Sequence, residues 1–370
     1  MAILINRRDI EPFLRLEEAV PAIEAAFKAA GQEPMLNHPR RRLHWRPSDA
    51  RKLNIFAGSL PELGYIGALV RFDHANRKDS RKGSKILHPP AAYDKEAGSE
   101  SYGKRFVYAL FNEEGLASIQ YGGTIGRGTP VKERTWHGDP IILRTAATSA
   151  VGTKYLARKN SEVLGFFGTG FYAPSHLAAM ILACPKLKKA RVFSPNEDHK
   201  RIFCREIQQV VDAEIVPASG PREAVKDADV VMCCTNSVDP VFDGHWVKEG
   251  THATGIIGQN NYLRKGEWWG ASEVDDHFLQ RCDTIFVNSL EQAQEDQQAS
   301  TWDAVRRGII EWRKVRELGE LVAGKCSGRA DDRQITFYQN NAGQGIADLA
   351  LAIKIHEIAL KKGLGKEIDL

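Results

Sequence analysis

From Val163 to Val287 the chain alternates short apolar runs with amphipathic or alanine-rich segments, and few folds accept that rhythm. VLGFF is followed by a glycine loop, GTG, and then by APSHLAAMILA, a predicted helix. RVFS, EIVP, DVVMCC, THATGII and TIFVN are predicted strands, with DHKRIFCREIQQVV and PREAVKD as predicted helices among them. A parallel strand pair needs a crossover of about a dozen residues or more, most often a helix, so this spacing predicts parallel strands. The expected fold class is α/β, a Rossmann-type doubly wound sheet with helices on both faces.

The glycine loop gives that sheet a use. LGFFGTGFYA puts Gly168 and Gly170 directly after the first predicted strand, with Ala173 where a third glycine often stands. The turn there must be tight, and helix N-terminal amides must reach a pyrophosphate with no Cβ in the way. A small third residue lets the helix pack against the strand. Gly168, Thr169, Gly170, Phe171, Tyr172 and Ala173 are therefore candidate cofactor contacts. After the second strand an NAD site usually offers Asp or Glu to the ribose hydroxyls. Here the chain reads Phe193-Ser194-Pro195-Asn196, with Lys200 and Arg201 one turn later and Glu197 and Asp198 between. NADP is expected, with NAD possible, and Ser194, Asn196 and Lys200 join the candidate contacts. GELVAGKC resembles an NTPase phosphate loop but has Cys326 where Ser or Thr must reach magnesium, and IIEWRKVRELGELV before it reads as helix or loop rather than buried strand.

The first part of the chain has a different rhythm. Ile10, Phe13, Val20, Ile23 and Phe27 recur at mostly three- and four-residue steps, which predicts an amphipathic helix over residues 10 to 30. LNIFAG, YIGALV and FVYAL, broken by glycine and proline, predict a small sheet. Between them, residues 72 to 105 are polar and rich in Gly, Pro and Ser, which predicts a long loop. At 370 residues the chain is long enough for two domains with separate cores. The sequence starts without the apolar core of a secretory signal and has no run of about 18 apolar residues, so a cytoplasmic protein with no membrane partner is expected. Six cysteines without a CxxC pair predict neither a disulfide framework nor a zinc knuckle, and no metal is expected. A net charge of +4 is too small to imply nucleic acid.

Several motifs in order, RTAATS from Arg144, the GTGFYA loop, SEVDDHFLQRCDTIFVNSLEQAQED, LGELVAG and the tail LGKEIDL, resemble the ornithine cyclodeaminase and mu-crystallin family. The resemblance spans nearly the whole chain, with an apparent extra segment around residues 72 to 105. It implies a homodimer in which both chain ends build a substrate and dimerisation domain, residues 1–140 plus 326–370, around a dinucleotide-binding domain, residues 141–325. It also implies hydride exchange between a nicotinamide and an α-amino or α-imino acid. By position, Arg144 would hold the substrate carboxylate, helped by one of Arg40, Arg41 and Arg42. A guanidinium fork clamps a carboxylate through two bonds and stays charged. On a strand Arg40 and Arg42 share a side, so that pair is favoured.

Two departures from the family pattern bear on the reaction. The family's lysine after a glycine in the small sheet is missing from Ile66-Gly67-Ala68-Leu69-Val70, which leaves Arg71, or Lys78 or Lys82, to replace its charge. Where the cyclodeaminase has an aspartate, this chain reads Gly258-Gln259-Asn260-Asn261. An amide cannot act as a general base, so hydrolytic loss of ammonia lacks its catalyst. Reduction asks only for position, charge neutralisation and a dry site. With Gln259 and Asn260 as hydrogen-bonding catalytic residues and His74 as a candidate proton donor, the expected protein is an NAD(P)H-dependent reductase of a ketimine or α-imino acid, or the reverse amino-acid dehydrogenase. The alternatives are a cyclodeaminase of a basic amino acid and a non-catalytic NADPH-binding protein. Six basic residues from Arg71 to Lys85 against two acids leave room for a larger or acidic substrate.

Overall fold

Two β-sheets pack around one buried helix in a computed structural model of the chain. It describes residues 2–33, 37–44, 52–73, 105–123, 131–235, 237, 239–257, 262–264, 267–269, 272–298, 300–340 and 343–369. The first sheet holds β1 (Ala2–Asn6), β2 (Asn37–His44), β3 (Lys52–Leu60), β4 (Tyr65–Asp73), β5 (Arg105–Asn112) and β6 (Gly115–Gly123) in the order β1-β6-β5-β4-β3-β2. A C-terminal strand, Lys366–Ile368, pairs antiparallel with the outer edge of β1. Only β1 and β6 run parallel in this sheet. Alternation sorts its two faces. Phe56, Leu69, Tyr108 and Leu110 are buried in the core, whereas Ile66, Val70, Val107 and Phe111 are exposed on the opposite side.

The second sheet is wholly parallel, as the alternating sequence predicts. Its members are β7 (Val163–Phe167), β8 (Lys189–Phe193), β9 (Glu214–Pro217), β10 (Val230–Cys233) and β11 (His252–Gly255). After a short hairpin of β12 (Tyr262–Arg264) and β13 (Glu267–Trp269) come β14 (Thr284–Val287), β15 (Val315–Glu317) and β16 (Thr336–Gln339). The order is β15-β14-β16-β11-β10-β7-β8-β9. Both faces are covered: Val230 and Met232 enter one core and Val231 and Cys233 the other.

Three expectations change. The N-terminal helix runs from Leu16 to Gln32 and not from Ile10, and Phe13 is exposed, because the chain first makes a short helix at Arg7–Ile10 and then breaks. The strands β15 and β16 appear where none was predicted, and β16 extends the parallel sheet to Gln339, beyond the expected boundary at 325. GELVAGKC does follow a strand, but its first glycine sits inside the helix Leu318–Val322. Gly319 there packs against Gly31, so this glycine serves helix contact. The predicted loop at residues 72–105 falls almost wholly outside the described residues, between β4 and β5.

The helix Pro140–Leu156 lies between the sheets and is buried on nearly every side. Asp139 caps it by accepting from the Ile141 amide at 2.7 Å. Ala146, Ala147, Ala150 and Gly152 keep it thin, and a Cβ on Gly152 would lie 2.2 Å from the Tyr338 ring. A second close approach joins β3 to the helix Gly345–Lys362, where a Cβ on Gly345 would lie 1.7 Å from the Ala57 carbonyl oxygen. Backbone stands on both sides of that contact, so no side-chain rotation relieves it. Gly345→Ala is expected to cost about 2–3 kcal/mol, the usual penalty of overpacking, read as a lower urea midpoint. Gly170→Ala, which would meet nothing within 4 Å, is the control and should stay within about 0.5 kcal/mol of the wild type.

Candidate active site

Strands β7 and β10 are neighbours, yet the chain between them runs out through β8 and β9 on the far side. Their carboxyl ends therefore open into a crevice at the point where the strand order reverses, the place where open parallel sheets bind ligands. The glycine loop sits there. Gly168 has φ +104°, and a Cβ on it would lie 2.2 Å from the Cys234 carbonyl oxygen, so only glycine lets β7 turn against the chain leaving β10. Its amide donates to the Phe193 carbonyl at 2.9 Å. Gly170 has no such packing duty, because its missing Cβ faces open space. That space, at the start of the helix Ala173–Ala183, suits an anionic group approaching backbone amides. Thr169, Phe171, Tyr172 and Ala173 complete the loop. Ala173 is fully buried against the sheet, as its small size predicts.

Arg134 is a site residue that the sequence reading missed. Its Nη1 donates to the Phe171 carbonyl at 2.8 Å, and its guanidinium carbon lies 5.2 Å from the Phe171 ring centroid. A permanent cation thus stands beside the glycine loop. VKERTW has mixed charge and no motif, and only the fold brings it there.

Past β8 the geometry separates the expected contacts. Ser194 is buried at the strand end, with no acid in its place. The Asn196 side chain caps the helix Glu197–Ile207, accepting from the His199 amide at 2.9 Å. Lys200 is buried, and its Nζ donates to the Ala218 carbonyl at 2.6 Å and to Glu197 Oε1 at 2.7 Å. Its charge is committed to the fold and is not offered to a 2′-phosphate, which corrects the reason for expecting NADP from Lys200. Arg201 is exposed and paired with Asp198.

On the other side of the buried helix the arginines converge. Arg144 lies in the second turn of that helix and is fully enclosed. Its Nε donates to Asp348 Oδ1 at 2.8 Å, a bond that fixes the plane of the guanidinium. Arg40 is buried and paired through Nε with Asp296, while Arg42 Nη1 lies 3.7 Å from the same carboxylate. Arg41 points out to Glu295, so the alternation expected of β2 holds despite a bulge between His38 and Arg41. Arg42, Asn54 and Arg71 are cross-strand partners on β2, β3 and β4. Arg71 lies 5.2 Å from the Phe56 ring centroid, on the buried face. Burial lowers the Arg40 pKa, partly restored by Asp296 and lowered again by the charges of Arg71 and Arg144. Arg144 also helps to hold His176 neutral: burial, with that charge adding to it, takes His176 down to about 4. One cation thus acts on both the first sheet and the helix behind the glycine loop. Gln259, Asn260, His74, Lys78 and Lys82 lie outside the described residues.

A further group unites the strand ends. Glu273, buried, accepts from the Thr235 amide and hydroxyl, both at 2.8 Å, and from the amides of Ile256 at 2.9 Å and Ile257 at 3.1 Å. The sequence shows it only as one acid among several in SEVDD.

The model of the ornithine cyclodeaminase/mu-crystallin family matches residues 141–363, more than half of the chain. The chain belongs to this family. An alanine dehydrogenase of Archaeoglobus fulgidus is 27% identical over 99% of this chain and 98% of its own length. A Delta(1)-pyrroline-2-carboxylate reductase of Bacillus cereus is 28% identical over 62% of this chain and 67% of its own length. Among solved structures, an archaeal alanine dehydrogenase dimer with bound NAD superposes with a TM-score of 0.75 at 26% identity, covering 100% of this chain and 99% of that one. Within this family member the fate of Lys200 is testable. Lys200→Met should destabilise the protein by about 1–3 kcal/mol, because the buried Ala218 carbonyl loses a donor, and should leave the ratio of NADPH to NADH affinity unchanged in fluorescence titrations. A selective loss of NADPH binding would restore Lys200 as a phosphate ligand.

Proposed function

We propose that the chain is a nicotinamide-dependent oxidoreductase that reduces a ketimine or α-imino acid, or oxidises the corresponding amino acid. The observation that carries this reading is Arg144: a buried guanidinium, oriented through Nε by Asp348, between the arginines of the first sheet and the helix that follows the glycine loop. With Nε taken, the paired Nη groups are left in the plane that matches a carboxylate fork. The names of the relatives, an imino-acid reductase and an amino-acid dehydrogenase, fit the same chemistry.

The residues that would hold the cofactor are the Gly168–Ala173 loop, with Arg134 beside it. A bound nicotinamide supplies a hydride to the imine carbon, or takes one in the reverse direction. Everything else falls to the protein. Arg144 neutralises and aligns the carboxylate, supported by Arg40, Arg42 and Arg71. Burial strengthens each of these attractions, since little water screens them. Gln259 and Asn260 are proposed to hydrogen-bond the substrate nitrogen. Amides there leave no base to activate water, which favours reduction over cyclodeamination.

The proposed partners are the amino or imino acid and a second copy of the chain, in the cytoplasm, where free cysteines stay reduced. Ile66 pairs with Phe111, Val70 with Val107 and Val107 with Tyr121 across β4, β5 and β6, and all five are exposed. A contiguous apolar face of this kind marks an interface, and the similar alanine dehydrogenase is a dimer.

Two experiments follow. Purified protein should oxidise NADH or NADPH with at least one of Delta(1)-pyrroline-2-carboxylate, iminosuccinate, or pyruvate with an amine. Arg144→Lys, which keeps the charge and loses the fork, should raise KM for that substrate at least tenfold with nucleotide affinity unchanged; an unaltered KM removes Arg144 from the carboxylate site. Val107→Glu should convert a dimer into a monomer in light scattering, and a dimer that survives it places the interface elsewhere.

A further inference from the structure

The residues that directly follow β10 and β11 at the crevice end of the sheet bond to a single side chain. Thr235 follows β10, and its Cγ2 would lie 3.4 Å from a Cβ on Gly168. Ile256 and Ile257 follow β11 and lead directly into Gly258-Gln259-Asn260. The Glu273 carboxylate spans the two, with Oε1 taking both donors of Thr235 and Oε2 taking the amides of Ile256 and Ile257. It presses close enough that a Cβ on Gly255 would lie 3.0 Å from Oε2. Its own backbone is pinned as well, since the Glu273 carbonyl accepts from the Val241 amide at 3.0 Å.

A buried carboxylate is a costly way to close the ends of two strands, because an ionised group deprived of water is stable only while every lone pair is used. Apolar residues would pack the same space at lower cost. What the carboxylate adds is direction, since four donors aimed at two oxygens fix the height and rotation of both loops. We propose that Glu273 is a positioning residue of the oxidoreductase, holding Thr235 on one side and the backbone before Gln259 on the other in the arrangement that admits the dinucleotide. This rests on the nicotinamide-dependent reading above.

The clamp depends on ionisation. Burial pushes the Glu273 carboxyl up to about 7, against the pull of its four donors. Among the described residues its titratable neighbours are the thiols of Cys233 and Cys234, which burial and Glu273 itself push upward, so they stay neutral. Protonation removes the negative charge that all four donors share and puts a donor on one of the two oxygens, so the charge-assisted hold on the loops weakens. The clamp is therefore present above about pH 7 and weakened below it.

The test is the dissociation constant of NADH, followed by nucleotide fluorescence from pH 6 to 8.5. NADH lacks the 2′-phosphate of NADPH, whose own titration near about 6 would obscure the result. Wild-type affinity should weaken several-fold as the pH falls through about 7. Glu273→Gln should bind at least tenfold more weakly at pH 8 and show a flat profile. Thr235→Val removes one donor that stabilises the ionised form, so its midpoint should move to higher pH. Should Glu273→Gln fail to fold, the wild-type profile and the Thr235→Val shift still decide. A flat wild-type profile, an unmoved Thr235→Val midpoint, or a folded Glu273→Gln protein with wild-type affinity overturns the positioning role alone. Wild-type protein that binds neither NADH nor NADPH at any pH overturns the oxidoreductase reading and this role with it.

Discussion

The bond between Arg144 and Asp348 ties the helix between the sheets to the helix that lines the first sheet, and its charge reaches a third part of the molecule. Arg144 belongs to the helix between the sheets, Asp348 to the helix Gly345–Lys362 that lines the first sheet, and the arginine's charge reaches Arg40 on β2. A guanidinium buried this deeply is tolerable because its carboxylate partner is buried with it; removing one partner of such a pair typically costs about 3–5 kcal/mol. The small residues around Arg144 are what allow it. Ala146, Ala147, Ala150 and Gly152 bring neighbouring elements close to the helix backbone, and the ion pair is sealed from water by the packing it orients.

Directly after Arg144 the same helix makes buried polar contacts of a different kind. Asn340 accepts from Asn288 Nδ2 at 3.1 Å and donates through its own Nδ2 to the Thr145 carbonyl and the Ser149 hydroxyl, both at 2.8 Å. Tyr338 donates its hydroxyl to Asn288. These bonds join β16 and the chain after β14 to the buried helix that carries Arg144. Such a network is favourable only when its members find their partners together.

The sequence reveals the elements whose signal is periodic. The glycine loop, its flanking strand and helix, and β8 to β10 were legible because apolar runs, glycines and helical segments recur in order. β16 was not, because its four buried residues are Thr336, Phe337, Tyr338 and Gln339. Half of that strand is polar and is made tolerable only by partners distant in sequence, such as Ile257, whose carbonyl accepts from Gln339 at 3.0 Å. Lys200 misled for the related reason that sequence shows a charge but not its direction. Arg134 and Glu273 were invisible as site residues, since neither sits in a motif and each gains its role from a loop that folding brings to it. The pairing of Arg40 with Arg42 was legible, because strand alternation is local.

Strand β4 shows how that alternation divides chemistry from assembly. Ala68 faces outward with Ile66 and Val70, so a lysine at residue 68 would have pointed toward the proposed partner copy and away from the site. The inward positions are Gly67, Leu69 and Arg71. Gly67 is there because Tyr108 leaves no room, its ring lying 2.6 Å from where a Cβ would be, and Leu69 fills the core. The first inward place that can carry a cation is Arg71, two residues on, roughly 7 Å along a strand. There it lines up with Asn54 and Arg42 and faces the same cluster as Arg144. The missing lysine therefore does not leave this face of the sheet without charge. The cation is carried at Arg71, near the end of β4, on the face where Leu69 and Tyr108 are buried.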